Sequence, residues 1–319
     1  MKVLLIDKVH CLFKENFIKW GWSVEEGYDW SYSQIALEIA KFNGVIIRSR
    51  VVLDQKILSK AINLKFIGRP GAGLENIDLN FCKKKNISVL RSPEGNRDAV
   101  GEHIIGMLLS LLNKLNKADL EVRSGKWLRE ENRGHELKGK TIGIIGYGHM
   151  GRSFAEKLVG FGVEVIAYDK YLKGFNSKIA REVTLNEVFL KTDVLSLHTP
   201  LTEETVDMVD ASFLNNFHKP FILINSARGK SVVLMDLLNA INKGKVIGAC
   251  LDVLELENHS FETVNFNENQ HISELLEKEN IIFSPHIAGW THESKNKMAQ
   301  VIISKLFNEF IDKSRFKQE

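Results

Sequence analysis

Four residues that could carry acid–base chemistry stand where buried strands are predicted to end. Arg228 follows the apolar run 221–227, Glu255 and Glu257 follow the run that ends at Asp252, and His286 follows 281–285. Hydride transfer to a 2-oxo acid needs a cation for the carboxylate and a proton for the developing alkoxide. Arginine suits the first task and histidine the second, with a glutamate to orient the imidazole. We expect the guanidinium and the imidazole to reach one small anion from adjacent strand tips, and either glutamate could pair with the histidine.

A glycine-rich segment supplies a candidate cofactor site. The residues Gly146, Tyr147, Gly148, His149, Met150 and Gly151 match the spacing GxGxxG, directly after the apolar run 141–145 and before a helical pattern. In such a turn the glycines allow a tight bend and a close backbone approach to a pyrophosphate at the helix N-terminus. Asp169 lies 18 residues beyond Gly151, at the end of the next predicted strand. Its carboxylate could accept both adenosine ribose hydroxyls and would repel a 2′-phosphate, so the pattern predicts NAD rather than NADP.

The elements that must position these residues alternate between strands and helices, which predicts α/β architecture with parallel sheets. Strands are predicted at 3–6, 45–47 and 66–67, with helices at 31–41 and 54–61. A second series of six strands is predicted at 141–145, 163–167, 194–197, 221–224, 246–249 and 281–283. Two doubly wound domains are therefore expected.

Two longer helical patterns connect these series. Residues 96–115 carry apolar side chains on more than one face, which predicts a largely buried helix that joins the domains. A second pattern opens near Thr291 and runs through Phe310. It follows the second sheet along the chain, and we predict that it packs on the first. Residues 257–280 are the least ordered-looking part, with a short helical pattern at 273–278.

Composition excludes several classes of protein. Apolar residues make up 44% of the chain and charged residues 26%, with a net charge of +3, which is typical of a globular protein and not of a nucleic-acid binder. The three cysteines, Cys11, Cys82 and Cys250, form no CxxC pair, so neither a disulfide framework nor a metal site is expected. Asp7 interrupts the first apolar run, and no run approaches membrane-spanning length, so we expect a cytoplasmic protein without membrane contact.

Four signatures in this order resemble the D-isomer-specific 2-hydroxyacid dehydrogenase family. They are the glycine segment 146–151 after Leu137-Lys138-Gly139-Lys140, the segment 197–202 (LHTPLT), the segment 224–229 (INSARG) and the segment 284–289 (SPHIAG). The resemblance implies a flavodoxin-like substrate domain, 1–96 plus 292–319, and a Rossmann NAD-binding domain, 97–291, with the active site in the cleft. It also implies that the catalytic residues are Arg228, Glu257 and His286.

The resemblance favours Glu257 because the family places its glutamate five residues after the aspartate, here Asp252, which would hold the nicotinamide carboxamide. Asn258 stands where the family usually has proline, so Glu255 remains an alternative. The wider cofactor-binding set implied by the resemblance adds Asp169, His198, Thr199, Pro200, Thr205, Ser226, Ala227 and Gly289 to the glycine segment, Arg228, Asp252 and His286.

The predicted substrate-binding residues also rest on the resemblance. Residues 71–78 are similar to the family's substrate loop, so Ala72 and Gly73 would offer backbone amides to a carboxylate, and Arg48 and Ser49 would join Arg228 and His286. The segment Arg48-Ser49-Arg50 is similar to the corresponding segment of the family branch that oxidises 3-phosphoglycerate at the start of serine biosynthesis. The two arginines of this segment could receive a substrate phosphate. A solvated strand end is the competing interpretation.

Three functions stay open at this stage. The leading one is oxidation of 3-phosphoglycerate, without serine feedback because the sequence ends at Glu319. The second is a glyoxylate, hydroxypyruvate or lactate-type reductase, which needs no phosphate site, and the third is an NAD-sensing scaffold protein. The apolar joining helix suggests a homodimer, as is usual in the family.

Overall fold

Short apolar runs separated by helical segments fold into two parallel sheets in the computed structural model, which describes residues 1–257 and 270–311. These residues form two compact units. The first comprises Met1–Asn96 together with 290–311, and the second comprises 97–257 and 270–289. Asn258, which stands where a proline was expected after Glu257, lies outside the described residues.

The first unit is an α/β sheet domain with flavodoxin-like topology. Its elements are β1 (Lys2–Leu5), α1 (Leu12–Lys19), β2 (Ser23–Glu26), α2 (Tyr32–Glu38), β3 (Gly44–Ile46), α3 (Gln55–Leu58), β4 (Phe66–Arg69), α4 (Leu79–Lys84) and β5 (Ser88–Arg91). All the strand pairs are parallel, in the order β2-β1-β3-β4-β5. The winding direction reverses between β1 and β3, and ligands of such sheets bind outside the strand ends at this reversal.

Alternating side chains of the first sheet build two apolar layers. Leu4 and Ile6 face the layer that holds helix α2, whereas Val3 and Leu5 face the opposite layer. The final helix of the chain, His292–Phe310, lies in that second layer through Ala299, Ile302 and Leu306. The prediction that this helix packs on the first sheet is therefore confirmed, and its N-cap is Thr291, where the pattern was expected to open.

Two strands of the first sheet were not predicted from the sequence. These are the edge strands β2 and β5, and none of their residues is buried. An edge strand has a neighbour on one side only, so its side chains need not show the apolar run of a central strand. The amphipathic helix α1 was also missed.

The second unit has the strand order of a Rossmann sheet. Its elements are α5 (Pro93–Leu112, which begins in the first unit), α6 (Leu115–Arg123), β6 (Thr141–Ile145), α7 (His149–Lys157), β7 (Glu164–Tyr168), β8 (Arg181–Glu182), α8 (Leu185–Lys191), β9 (Val194–Leu197), α9 (Ala211–Asn215), β10 (Phe221–Asn225), α10 (Leu234–Asn242), β11 (Val246–Leu251), α11 (Gln270–Leu276) and β12 (Ile281–Phe283). The described strands pair in the order β12-β11-β10-β9-β6-β7-β8. The order reverses between β6 and β9, so the glycine turn after β6 lies at the reversal.

All six strands predicted for the second sheet are present, and the two-residue edge strand β8 joins them. Strands β9 and β10 are buried along their whole length because helices cover both faces of a parallel sheet. Two apolar layers result, one with α8 to α11 and one with α5 and α7. Every parallel strand ends at the same edge, which brings the loops after β6, β7, β9, β10, β11 and β12 to one side of this unit.

The joining helix differs from its predicted bounds. It begins at Pro93, a residue suited to the first turn because it has no N–H to leave unpaired, and it ends at Leu112. Lys114 then adopts a left-handed backbone with φ 51°, and Leu115 opens the separate helix α6. Leu115 is 54% exposed, so its assignment to the buried helix was wrong. No helix within the described ranges has both the length and the apolar character needed to traverse a bilayer.

Candidate active site

The glycine turn joins β6 to α7, and its three glycines meet different surroundings. Gly146 has φ 92°, and a Cβ there would lie 2.7 Å from the carbonyl oxygen of His198. At Gly151 a Cβ would lie 2.2 Å from the carbonyl oxygen of Gly146. At Gly148, the N-cap of α7, a Cβ would meet nothing within 4 Å, and φ is −78°. The fold itself therefore requires glycine at the first and third positions but not at the second.

Asp169 follows β7 and is tied to the glycine turn. Its Oδ2 accepts the backbone N–H of Tyr147 at 2.8 Å, and its Oδ1 accepts those of Tyr171 at 2.9 Å and Leu172 at 2.8 Å. Partial burial by itself raises the pKa of this carboxyl, but the three N–H donors outweigh it and the pKa is lowered. Asp169 is thus held as an anion beside the turn.

The residues between the glycines of the turn differ in their surroundings. The Tyr147 ring is buried and stacks on Phe175 with a centroid distance of 4.5 Å, and the Arg152 guanidinium lies 5.5 Å from the centroid of the Tyr147 ring. Met150 packs against the core beneath the turn, whereas His149 is exposed. The Tyr147 ring therefore stabilises the turn from inside.

The loop after β9 contains four of the predicted cofactor-binding residues. The His198 ring packs near Phe154 and lies 2.9 Å from the Ser196 hydroxyl, and burial lowers the pKa of His198 to about 3. The Thr205 hydroxyl donates to the Pro200 carbonyl at 2.7 Å and so closes this loop on itself. In contrast, the buried Thr199 hydroxyl has no hydrogen-bond partner among the described residues. The His198 ring thus contacts neighbouring side chains of the same unit, whereas Thr199 offers a hydroxyl that these residues leave unpaired.

The loop after β10 is shaped by Asn225, a buried residue that was not predicted as part of the site. Its Oδ1 accepts the N–H of Ala227 at 3.1 Å, and its Nδ2 donates to the carbonyl of Arg228 at 2.9 Å. A Cβ on Gly229 would lie 1.9 Å from the carbonyl oxygen of Leu254, so this loop packs closely on the loop after β11. Arg228 is half-buried, and its Nη1 donates to the carbonyl of Ala227 at 2.6 Å.

Ser226 lies in the same loop. Its hydroxyl is buried and, within the described parts of the chain, has no hydrogen-bond partner. Ser226 directly follows β10 and Thr199 is the second residue after β9, so both lie at the edge that holds the glycine turn. Two unpaired hydroxyls at one sheet edge favour a polar ligand there.

Asp252, at the end of β11, organises the loop after β12. The carboxylate is 1% exposed and accepts the N–H of Ile287 at 2.8 Å on Oδ1 and that of Ala288 at 3.0 Å on Oδ2. Its backbone carbonyl accepts the N–H of His286 at 2.7 Å. Gly289 closes the loop and is half-buried. Asp252 therefore holds the backbone at the candidate catalytic histidine and at the two residues that follow it.

The imidazole of His286 pairs with Glu257. The His286 Nδ1 lies 2.7 Å from the Glu257 Oε2, with side-chain exposures of 24% and 10%. Glu255 instead accepts the backbone N–H of Leu234 at 3.1 Å, at the start of α10. Of the two glutamates that the sequence left open, Glu257 is the one that contacts the histidine.

One expectation about this edge was wrong. Arg228 and His286 follow β10 and β12, and β11 lies between these strands. The two side chains therefore come from alternate strands rather than adjacent ones. Asp252 follows the middle strand, β11.

The predicted substrate-binding residues in the first unit are Arg48, Ser49, Ala72 and Gly73. Arg48 follows β3, at the reversal of that sheet, and its guanidinium stacks 3.9 Å from the centroid of Trp290. Asn76, in the loop 71–78, donates to the Arg48 carbonyl at 3.0 Å and so joins the two segments. Ala72 and Ser49 are half-buried, and Gly73 is buried.

Arg50 has a different role from the one that its position next to Arg48 suggested. Its guanidinium donates to the backbone carbonyls of Trp30 at 2.8 Å, Ile6 at 2.6 Å and Gly27 at 3.1 Å, and its Nε lies 3.5 Å from Asp7. These bonds tie the loops of the first sheet together. These contacts disfavour the expectation that Arg50, as well as Arg48, receives a phosphate.

Comparison with known proteins identifies the family. The sequence profile of the D-isomer specific 2-hydroxyacid dehydrogenase NAD binding domain matches residues 105–288, more than half of the chain. The chain belongs to this family. Among relatives, D-3-phosphoglycerate dehydrogenase of Archaeoglobus fulgidus is 32% identical over 97% of this chain and 57% of its own length. Hydroxypyruvate reductase of Thermotoga maritima is 32% identical over 85% of this chain and 86% of its own length.

A solved structure of the family has the same fold. D-lactate dehydrogenase from Aquifex aeolicus, complexed with NAD and lactic acid, is 29% identical with a TM-score of 0.82, and the match covers 98% of this chain and 96% of that one. The chain spans little more than half the length of the Archaeoglobus relative and most of the length of the other two proteins.

The second unit carries the family's NAD-binding domain, and its residues fit NAD. Gly148 leaves open space at the helix N-terminus, where the fold does not require glycine but a pyrophosphate would. The unpaired hydroxyls of Thr199 and Ser226 offer hydrogen bonds at the same edge. The anionic Asp169 retains acceptor capacity on Oδ2, which suits a ribose hydroxyl. Within the described residues, no group of three or more metal-ligating side chains is found.

Proposed function

We propose that this protein is an NAD-dependent oxidoreductase that interconverts a D-2-hydroxy acid and its 2-oxo acid. The observation that carries the proposal is the contact of 2.7 Å between His286 and Glu257, on the sheet edge that also holds the glycine turn. A scaffold protein that only senses NAD would not need a histidine–carboxylate pair at this position. The pair therefore favours catalysis over binding alone.

In the proposed mechanism, His286 exchanges a proton with the oxygen on C2 of the acid. The Glu257 carboxylate faces Nδ1, so it keeps a proton on that nitrogen and leaves Nε2 to act as base toward an alcohol or as acid toward a carbonyl. NAD supplies the hydride acceptor or donor when it is bound. The residues proposed to hold it are those of the glycine turn with Asp169, Thr199, Ser226 and Asp252.

Arg228 is proposed to bind the carboxylate and polarise the C2 carbonyl. A guanidinium presents parallel N–H donors that match the two oxygens of a carboxylate. The Asn225 side chain and the close packing of Gly229 fix the backbone around Arg228, and the guanidinium donates to the Ala227 carbonyl, so the charge is held in place before the substrate arrives. Preorganised charge of this kind stabilises the developing alkoxide without a reorganisation cost.

The leading substrate is 3-phosphoglycerate, which would make the reaction the first step of serine biosynthesis. Support comes from the named activity of the Archaeoglobus relative and from Arg48 at the reversal of the first sheet. Arg48 and Ser49, with the amides of Ala72 and Gly73, are the residues proposed to bind the acid or its phosphate.

A reductase acting on hydroxypyruvate or glyoxylate is the second candidate. The observation that favours it is that both Nη atoms of Arg50 donate to backbone carbonyls, which leaves Arg48 as the sole arginine of that segment proposed to meet a phosphate. The Thermotoga relative is named for this activity.

Initial rates with a panel of acids test both candidates. We would compare 3-phosphohydroxypyruvate with hydroxypyruvate, glyoxylate and pyruvate, each with NADH and with NADPH. Phosphate preference should be lost in Arg48→Gln, with KM for the phosphorylated acid rising roughly 10-fold or more because a charged hydrogen bond is removed. The exposed Lys60→Gln is the matched control. No turnover with any acid would refute the dehydrogenase proposal, and higher turnover with NADPH would refute the role of Asp169.

We also propose that the protein forms a homodimer, although not chiefly through α5. Helix α6 has no buried residue, and apolar side chains on α6 and the segment after it are exposed. They are Leu115, Leu120, Val122, Trp127 and Leu128. An exposed apolar set of this kind in one short segment is typical of a subunit interface.

A further inference from the structure

The candidate catalytic histidine adopts a backbone conformation that its neighbours must hold. His286 has φ 54°, in the left-handed region that residues with a side chain rarely occupy. Such a conformation persists only where the surrounding contacts over-determine it. The contacts that do so in this unit identify residues that position the imidazole.

Asp252 supplies most of these contacts. Its carboxylate accepts the two N–H groups that follow His286, from Ile287 at 2.8 Å and Ala288 at 3.0 Å. The same Oδ1 accepts the hydroxyl of Ser284, two residues before the histidine, at 2.6 Å. The carboxylate thus clamps the loop on both sides of the strained residue.

Helix α5 adds one more side chain to this clamp. The His103 Nε2 lies 2.8 Å from the Ser284 hydroxyl oxygen and 3.6 Å from the Asp252 Oδ1. A serine hydroxyl has one proton, and here that proton goes to the carboxylate, which can only accept. The His103 Nε2 must therefore carry a proton and donate it to the Ser284 oxygen. The resulting chain, His103 to Ser284 to Asp252, runs in one direction from helix α5 to the loop of His286.

We propose that His103 is a positioning residue for His286, acting through Ser284 and Asp252. The expected effect on kcat rests on the proposed function, whereas the expected effect on the loop around His286 does not. His103 anchors Ser284 to a helix of the core, so that the carboxylate and the loop keep one arrangement. Without this donor the Ser284 side chain is free to rotate toward Met107, whose sulfur already lies 3.6 Å away, and the clamp on the loop weakens.

The test compares His103→Leu with His103→Gln in the full chain. Leucine fills the space but offers no donor, whereas a glutamine amide can place an N–H near the position of the imidazole Nε2. We expect kcat of the leucine variant to fall roughly 10- to 100-fold, because small misplacements of a catalytic group have effects of this size. KM for the 2-oxo acid should change little, and glutamine should restore most of kcat. Glu102→Gln, on the exposed side of the same helix, is the matched control.

Hydrogen–deuterium exchange gives a readout that does not depend on activity. The amides of Ile287 and Ala288 should exchange faster in the leucine variant and stay protected in the glutamine variant, with the rest of the second unit unchanged. Unchanged exchange and unchanged kcat in the leucine variant would overturn the proposal. It would also be overturned if both variants lost kcat and protection throughout the unit, since that outcome marks a packing role only.

The experiments distinguish failure of the proposed function from failure of the positioning role of His103. If the wild type turns over no acid in the panel, the proposed function fails, yet the exchange of residues 284–289 still decides whether His103 holds this loop. If the wild type is active and the leucine variant is equally active, the positioning role fails and the proposed function stands.

Discussion

The three glycines of the nucleotide turn should respond differently to alanine. Gly148→Ala places a Cβ in open space at φ −78°, so the folded protein without ligand should accept it. The change in the free energy of unfolding should stay within about 1 kcal/mol, since a poorer N-cap is offset by a less flexible unfolded chain. Binding of NADH should nevertheless weaken at least about 10-fold, or roughly 1.4 kcal/mol, because the methyl group occupies the space that backbone contact with a pyrophosphate requires.

Alanine at either of the other two glycines should destabilise the folded protein. In Gly151→Ala the Cβ lies 2.2 Å from a backbone oxygen, an overlap that a rigid turn cannot relieve by moving a side chain. Overpacking of this kind costs roughly 1–3 kcal/mol. Gly146→Ala adds a left-handed backbone at φ 92°, which costs roughly 1–2 kcal/mol for a residue with a Cβ, to an approach of 2.7 Å to the His198 carbonyl oxygen.

The assay is a pair of measurements on each variant: urea unfolding of the ligand-free protein, and NADH binding by fluorescence. Gly106→Ala, in helix α5 with nothing within 4 Å of its Cβ, is the control and should gain roughly 0.5–1 kcal/mol of stability at unchanged affinity. The reasoning is refuted if Gly148→Ala binds NADH like the wild type, or if it destabilises the fold as much as Gly151→Ala does.

Three further predictions follow from the contacts of single residues. Glu257→Gln should lower kcat/KM by roughly 100-fold because a neutral amide no longer stabilises the protonated imidazole. Glu255→Gln should leave both stability and kcat/KM near the wild type, because the glutamine oxygen can still accept the N–H of Leu234. Steady-state rates on the two variants decide, and the reverse order would contradict the pairing. Because burial lowers the pKa of His198 to about 3 from an ordinary value of 6.5, the folded protein binds fewer protons than the unfolded chain between these values. The stability that the neutral His198 contributes is therefore complete above pH 6.5 and is lost as the pH falls, by about 1.4 kcal/mol per pH unit. The free energy of unfolding of His198→Gln, measured with urea, should depend less steeply on pH than that of the wild type. Equal slopes would argue against this. Trp127→Glu should shift the mass measured by light scattering from dimer to monomer, with the equally exposed Ile62→Glu as control, and a dimeric Trp127→Glu would count against the interface.

Much of the fold follows from local patterns in the sequence. Central strands such as β9 and β10 appear as unbroken apolar runs because both faces of a parallel sheet are covered. The edge strands β2 and β5 lack this pattern, so they could not be found in the same way. The end of α5 was also misplaced, since the apolar spacing continues through Leu115 while the left-handed Lys114 breaks the helix.

The residues of the candidate site also differ in how far local sequence patterns predict them. The glycine spacing and Asp169 are close in sequence and follow from the strand–turn–helix pattern alone. The choice between Glu257 and Glu255 could not be made from residue type, because two glutamates separated by one residue point in different directions once the loop is folded. Arg50 shows the same limit: its neighbour Arg48 stacks on Trp290, and nothing local to the segment reveals that Arg50 bonds to carbonyls 20 to 44 residues away.

The sequence by itself determined the two α/β sheets, the nucleotide turn and the residue types able to move a proton and bind an acid, because each of these depends on short-range spacing. Only the tertiary structure decided which glutamate meets His286 and that His103, 181 residues from Ser284 along the chain, joins the clamp around it. Hydrogen bonds depend on distance and direction in space, and parallel sheets bring together strand ends that are far apart in sequence.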